Sequence, residues 1–254
     1  MIAPTGLIRR YCTTGYHLVL AHLVLQDEEY AELYREVPGF KILDNSVIEL
    51  GRPLSTDELL EAAKKVNADE IVIPDYIKDA DKTIDSAYKY GEELTGYKLM
   101  AVPQGQDPRE WYRCYKTLQD LPFISTFGIP KSLKEDRVQI CHWINREIIM
   151  TQGQKWDYHI LGTFGNPIEV AELAEYDWIR GVDSKIPVRA GQLGILFDKS
   201  RGLLANRDDM PPLDFGNADD PIPMATVYNI RTFRIWANNI RENVVGLEEM
   251  RTKR

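Results

Sequence analysis

The sequence predicts an α/β protein, a single (β/α)8 TIM-type barrel with a C-terminal helix. Three observations lead there. Short apolar runs alternate with segments of helical period, the order expected of parallel strands joined by crossover helices. Seven such runs fit within 254 residues, a length that suits one barrel domain, and 44% hydrophobic residues can fill its core. Neither a Gly-rich dinucleotide fingerprint nor a phosphate-binding Gly-Lys-Ser/Thr loop marks an open doubly wound sheet.

Taken in order, the runs 17–25, 41–46, 70–76, 98–105, 123–131, 156–165 and 178–185 read as strands, and an eighth is expected among the first or last residues. Helices are expected at 55–66, 80–94, 108–118, 136–150 and 167–176. Ser55-Thr56-Asp57-Glu58 opens the first of these as a capping box, in which hydroxyl and carboxylate satisfy orphan backbone N–H groups. Residues 186–226 read as an irregular excursion at the barrel mouth, being rich in Asp, Asn, Gly and Pro over 198–223. Val227, Ile230, Phe233, Ala237, Ile240 and Val244 then recur at helical spacing, which predicts a helix over 227–249 packed on the barrel. The chain 1–254 is read as one domain.

Composition narrows the function classes. A net charge of −8 argues against a protein that coats nucleic acid nonspecifically, because that affinity comes largely from Lys and Arg neutralising phosphates. The charge is uneven: residues 178–254 hold 12 Lys+Arg against 10 Asp+Glu, leaving 19 against 29 in residues 1–177. A polyanion would therefore approach the C-terminal part, although ordinary scatter gives a difference of this size as well. No apolar stretch approaches the ~18 residues of a membrane span, and the N-terminus lacks a secretion signal, so a soluble cytoplasmic protein is expected. Cys12, Cys114 and Cys141 are widely spaced and suit reduced thiols. Cys141-His142 has no second ligand pair and reads as structural, so no metal is expected.

In a barrel, chemistry gathers where strands end. Polar residues stand at the ends of these apolar runs: Asp44-Asn45, Asp75, Gln104-Gly105, Gly128, Gly162 and Asp183. Each by itself could cap a helix or close a turn. Together they put three carboxylates and an amide at one mouth, an arrangement that costs stability unless a ligand or a proton transfer uses it. Such a set suits a planar nitrogen heterocycle attached to a sugar. One carboxylate can accept from a ring N–H and an exocyclic amino group, a glutamine can both donate and accept, and a second carboxylate can attack the anomeric carbon.

At these residues the chain resembles the tRNA-guanine transglycosylases and their 7-deazaguanine DNA transglycosylase relatives, in order from about residue 41 to about residue 215. Ile42-Leu43-Asp44-Asn45-Ser46 looks like the general acid/base segment, and Ile73-Pro74-Asp75 looks like the segment that reads the guanine edge. Val102-Pro103-Gln104-Gly105 resembles the glutamine-glycine base contact, and Phe127-Gly128 stands at the family's glycine pair. His159-Ile160-Leu161-Gly162 resembles the strand end that covers one face of the base. Asp183 through Gly191, with Pro187, Arg189 and Gly191 in Pro-x-Arg-x-Gly, is similar to the nucleophile segment.

The departures carry information too. No Cys follows Cys141 and no His follows His159, so the family's zinc subdomain is lacking. That favours the shorter DNA-acting relatives, many of them phage-encoded. Phe127 replaces the first glycine of the pair, and Ile48 stands where the family stacks an aromatic, so Ile48 and Leu161 are the expected faces of the base.

The resemblance implies a pentosyltransferase that replaces guanine in DNA with a 7-deazaguanine such as 7-cyano-7-deazaguanine. Asp183 would be the covalent nucleophile and Asp44 the general acid/base. Asp75, Gln104, Gly128 and Gly162 would contact the base. No cofactor is implied. The partners are DNA, double- or single-stranded with the target guanosine flipped out, and the free base; a homodimer is left open. Arg231 and Arg234, with Arg241 on the same helical stripe, are candidate phosphate contacts together with Arg189 and Arg201, and a solvated basic face is the plain alternative. Three rivals remain. A tRNA enzyme without its zinc module would keep the same pocket. A non-catalytic nucleic-acid-binding partner subunit of the same fold should lack the nucleophile or the acid/base residue, for which Asp183 and Asp44 stand here. Against an ordinary sugar-phosphate barrel enzyme counts the lack of a clear phosphate loop near the last strands. The location would be the cytoplasm, that of the host if the protein is phage-encoded.

Overall fold

A computed structural model describes residues 4–11, 15–133, 136–151, 153, 155–163, 166–205, 209–215 and 221–238. Seven strands form one parallel sheet in sequence order: β1 (Tyr16–Leu20), β2 (Phe40–Asp44), β3 (Glu70–Val72), β4 (Lys98–Ala101), β5 (Ile124–Pro130), β6 (Asp157–Leu161) and β7 (Ile179–Val182). All seven expected runs hold strands, several of them shortened at the C-terminal end.

Eleven described α-helices accompany them: α1 (Thr5–Tyr11), α2 (Ala21–Gln26), α3 (Glu28–Glu36), α4 (Val47–Leu50), α5 (Thr56–Val66), α6 (Ala80–Tyr90), α7 (Pro108–Leu118), α8 (Asp136–Met150), α9 (Pro167–Ala174), α10 (Ile186–Gln192) and α11 (Met224–Asn238). The capping box forms as expected: the Ser55 hydroxyl accepts from Glu58 N, and the Glu58 carboxylate accepts from Ser55 N at 2.8 Å. Two expectations need correction. The run 17–25 is a strand only to Leu20, and its remainder belongs to α2. The excursion over 186–226 begins with a helix, α10, which has Pro187 in its first turn, where a missing N–H costs nothing. The C-terminal helix is described from Met224 to Asn238; residues 239–249 of the expected helix, and Arg241, lie outside the described residues.

Side-chain alternation gives the sheet two faces. Val19, Leu43, Ile71, Leu99, Phe127 and Ile160 join the large outer core beneath the helices. Leu18, Leu20, Ile42, Val72, Met100 and Val102 form a separate inner cluster. Such an inner cluster requires a strongly curled sheet, and Arg180 shows how far the curl goes. From β7 it reaches Glu70 of β3 and Thr126 of β5, and its guanidinium lies 5.8 Å from the Tyr16 ring centroid and 5.5 Å from that of Phe40. The sheet is therefore nearly barrel-shaped. Among the described residues no eighth strand joins β7 to β1. A cavity of about 730 Å³ lies at this seam, bordered by Tyr16, Ile179 and Arg180 and roofed by Ile230, Phe233 and Ala237 of α11. α11 is seated through Gly191 of α10, where a Cβ would fall 2.2 Å from the Thr226 Cα.

Candidate active site

A second cavity, of about 440 Å³, opens at the C-terminal ends of the strands. Asp44, Asp75, Gln104, Leu161, Gly162 and Asp183 line it, so parallel pairing brings residues up to 139 positions apart in the sequence to one mouth. Ile48 and Arg189 stand at its edge.

Asp75, 1% exposed, is held from both sides: Asn45 Nδ2 donates to Oδ1 and Gln104 Nε2 to Oδ2, each at 2.6 Å. Backbone groups set both amides. Val47 N donates to Asn45 Oδ1 at 3.0 Å, and Lys78 N donates to Gln104 Oε1 at 3.1 Å. The oxygens are thereby occupied, and the N–H groups face the carboxylate. Burial pushes the Asp75 carboxyl up to about 6, against the two amide hydrogen bonds that favour its charge.

Asp44 ends β2, and Ser46 N donates to its Oδ2 at 2.9 Å from a left-handed backbone (φ 62°). His22 Nδ1 lies 2.8 Å from the Ser46 hydroxyl. Burial first, and the Glu49 carboxylate second, push the Asp44 carboxyl up to about 8, with smaller contributions from Asp75 and Asp183. Glu49 in turn pairs with Lys185 at 3.3 Å, tying α4 to the loop after β7.

Asp183 lies on the loop beyond β7, where its N–H still donates to Ile160 O at 3.2 Å. Its Oδ1 accepts from Gly162 N at 3.1 Å and lies 3.3 Å from His159 Nε2. Burial alone would raise this carboxyl, but hydrogen bonds and positive charge, the His159 imidazole first among them and the Gly162 N–H included, hold the group below the ordinary carboxylate value. Gly162 has φ +67°, a conformation L side chains rarely adopt. Its carbonyl accepts from the buried Arg137 of α8 at 2.6 Å, and Arg137 pairs with Glu169 of α9.

The other candidates fall elsewhere. Gly128 does not border the cavity: a Cβ there would lie 2.6 Å from Leu161 Cδ1 and 2.9 Å from Val102 Cγ2, so its missing side chain makes room for Leu161 one layer down. Ile48 is 48% exposed at the rim. The four arginines form no single cluster. Arg189 lines the pocket and donates to Pro211 O, Arg201 pairs with Asp198 at 3.5 Å in an exposed turn, Arg231 is exposed on α11, and Arg234 borders the seam cavity. Sequence reasoning missed His159 and Asn45 as partners of the carboxylates. Asn45 stands beside Asp44 in the chain, whereas nothing local links His159 to Asp183. Among the described residues no group of three or more His, Cys, Asp or Glu could hold a metal ion, and no helix is long and apolar enough to cross a membrane. No protein-family model matches this chain, and no curated protein matches it.

Proposed function

We propose that this protein is a base-exchange transglycosylase that replaces guanine in DNA with a 7-deazaguanine, on a complete eight-stranded barrel, in the cytoplasm. The observation that carries the reading is the spread of three carboxylates around one pocket: Asp183 is held below its ordinary value, Asp75 lies at about 6 and Asp44 at about 8. Titratable groups pushed apart by their surroundings divide into acid and base roles. Near neutral pH, Asp183 is an ionised nucleophile and Asp44 a protonated acid.

The order of groups around the mouth supports a guanine ring. From β7 back to β3 come Asp183, Gly162 with Leu161, Lys131, Gln104 and Asp75. The rim of guanine runs in the same sequence, from N9 through C8 and position 7 to O6 and then N1–H with the 2-amino group. Asp75 can accept from that last edge, and Gln104 has an N–H rather than an oxygen to offer O6.

In the first half-reaction Asp183 attacks C1′, the C1′–N9 bond breaks and Asp44 supplies a proton to the departing base. The incoming base then gives its N9 proton to the Asp44 carboxylate, N9 attacks C1′, and the bonding pair returns to Asp183. The target nucleotide must leave the duplex stack for its sugar to reach Asp183. The test is incubation with labelled 7-deazaguanine and guanine-containing DNA or tRNA. Label in DNA that disappears in Asp183→Asn is the expected result. Label in tRNA alone, or exchange that survives the substitution, overturns it.

A further inference from the structure

We propose that His159 is a positioning residue that selects the attacking oxygen of Asp183 and speeds release of the covalent intermediate. This rests on the transglycosylase reading above. The imidazole is 3% exposed and the carboxylate 6%. Both hydrogen bonds to Asp183 within the described residues reach the same atom, Oδ1: one from Gly162 N at 3.1 Å, the other across 3.3 Å to His159 Nε2. Oδ2 accepts no hydrogen bond among the described residues, and Asp183 borders the pocket, so the carboxylate has one restrained oxygen and one left for attack.

The ring's surroundings give the proton a place. Among the described residues the buried His159 Nδ1 has no hydrogen-bond partner, and it faces Gly181, where a Cβ would sit 3.3 Å from Nδ1. An unpartnered N–H costs more in such a site than an unpartnered lone pair. The proton therefore sits on Nε2 and points at Asp183. Gly181 leaves open the space beside the ring that a Cβ would crowd, at 3.3 Å from Nδ1 and 3.5 Å from Cε1.

The consequence differs between the two half-reactions. When Oδ2 bonds to C1′, Asp183 becomes an ester, its charge is lost and the bond to Oδ1 weakens. When N9 of the incoming base attacks, the C1′–Oδ2 pair returns to Asp183 and the negative charge spreads again onto Oδ1. Donors waiting there stabilise the leaving carboxylate. His159 thus favours breakdown of the glycosyl ester over its formation, a bias that a residue filling space alone does not produce.

The experiment follows the covalent protein–DNA adduct by denaturing gel in wild type, His159→Phe and His159→Gln. A rapid DNA chase gives the formation rate, and addition of 7-cyano-7-deazaguanine gives the breakdown rate. His159→Phe keeps a ring without a donor; breakdown is expected to slow about tenfold or more, with formation much less affected, so the adduct accumulates. His159→Gln places an amide N–H near the Nε2 position and is expected to restore most of the breakdown rate. Equal loss in both steps, unchanged rates, or a Gln variant no better than Phe overturns the proposal. If Phe fails to fold, the Gln variant decides it: an adduct lifetime near that of wild type supports it, and one lengthened as for donor loss overturns it. A wild-type protein that forms no adduct with DNA or tRNA refutes the transglycosylase reading itself, and this inference falls with it.

Discussion

Replacing Asp44 by Asn tests whether this carboxyl is held protonated by the fold. Its value in the folded protein, about 8, lies above the ordinary 3.8, so the ionised form costs stability in the native state but not in the unfolded chain. The cost is absent below pH ~4, grows as pH rises towards 8, and is constant above that. Between the two values lie about four pH units at about 1.4 kcal/mol each, giving an upper bound of about 6 kcal/mol. Glu49, Asp75 and Asp183 share the burden with Asp44, and the pocket is open to water, so about 2–3 kcal/mol is the size expected for one residue. Asn keeps an oxygen for the Ser46 N–H and removes the charge. Urea unfolding of wild type and Asp44→Asn at pH 5 and pH 9 measures the effect. Asp44→Asn should gain on wild type by about 2 kcal/mol between the two pH values, while losing base exchange at both. A stability difference that stays the same at pH 5 and pH 9 refutes the reasoning, because Asp44 would then ionise like any surface carboxylate.

Other consequences can be measured separately. Adduct formation should fall as pH rises through about 8, where Asp44 loses its proton, and KM for the free base should rise as pH falls through about 6, where Asp75 gains one; pH-rate profiles lacking both limbs count against these roles. Glu49→Gln removes the second-largest influence raising Asp44, so the upper limb should move to lower pH, reducing the rate more at pH 8 than at pH 6. Gly128→Ala forces a methyl to within 2.6 Å of Leu161 Cδ1, which should cost about 1–3 kcal/mol in denaturant unfolding and raise KM as Leu161 is pushed toward the pocket. Unchanged stability and KM would show that the inner layer relaxes freely around it.

Much of the sheet was legible because apolar runs bounded by polar residues report a strand whatever surrounds it. Their ends were less legible. The runs 70–76 and 98–105 leave the sheet at Val72 and Ala101, just before Pro74 and Pro103, which lack the N–H a ladder needs. The run 17–25 splits into β1 and α2 because a short apolar stretch does not distinguish strand from buried helix. α10 was hidden by its Pro and Gly, which normally punctuate loops; here Pro187 lies in the first turn and Gly191 meets α11 at close range.

The sequence by itself determined the strand-and-helix order and the polar residue at each strand end, because those depend on local pattern and on the period of side chains along an element. Only the tertiary structure decided which of these residues work together. Parallel pairing set Asp44, Asp75 and Asp183 around one pocket, unequal burial, hydrogen bonding and neighbouring charge moved their protonation apart, and His159 met Asp183 because β6 and β7 lie side by side. It also withdrew Gly128 to the layer beneath Leu161 and spread the arginines over separate surfaces. The reason is physical: a carboxylate's chemistry depends on the water, charges and hydrogen bonds around it, and these are supplied by residues far away in the chain.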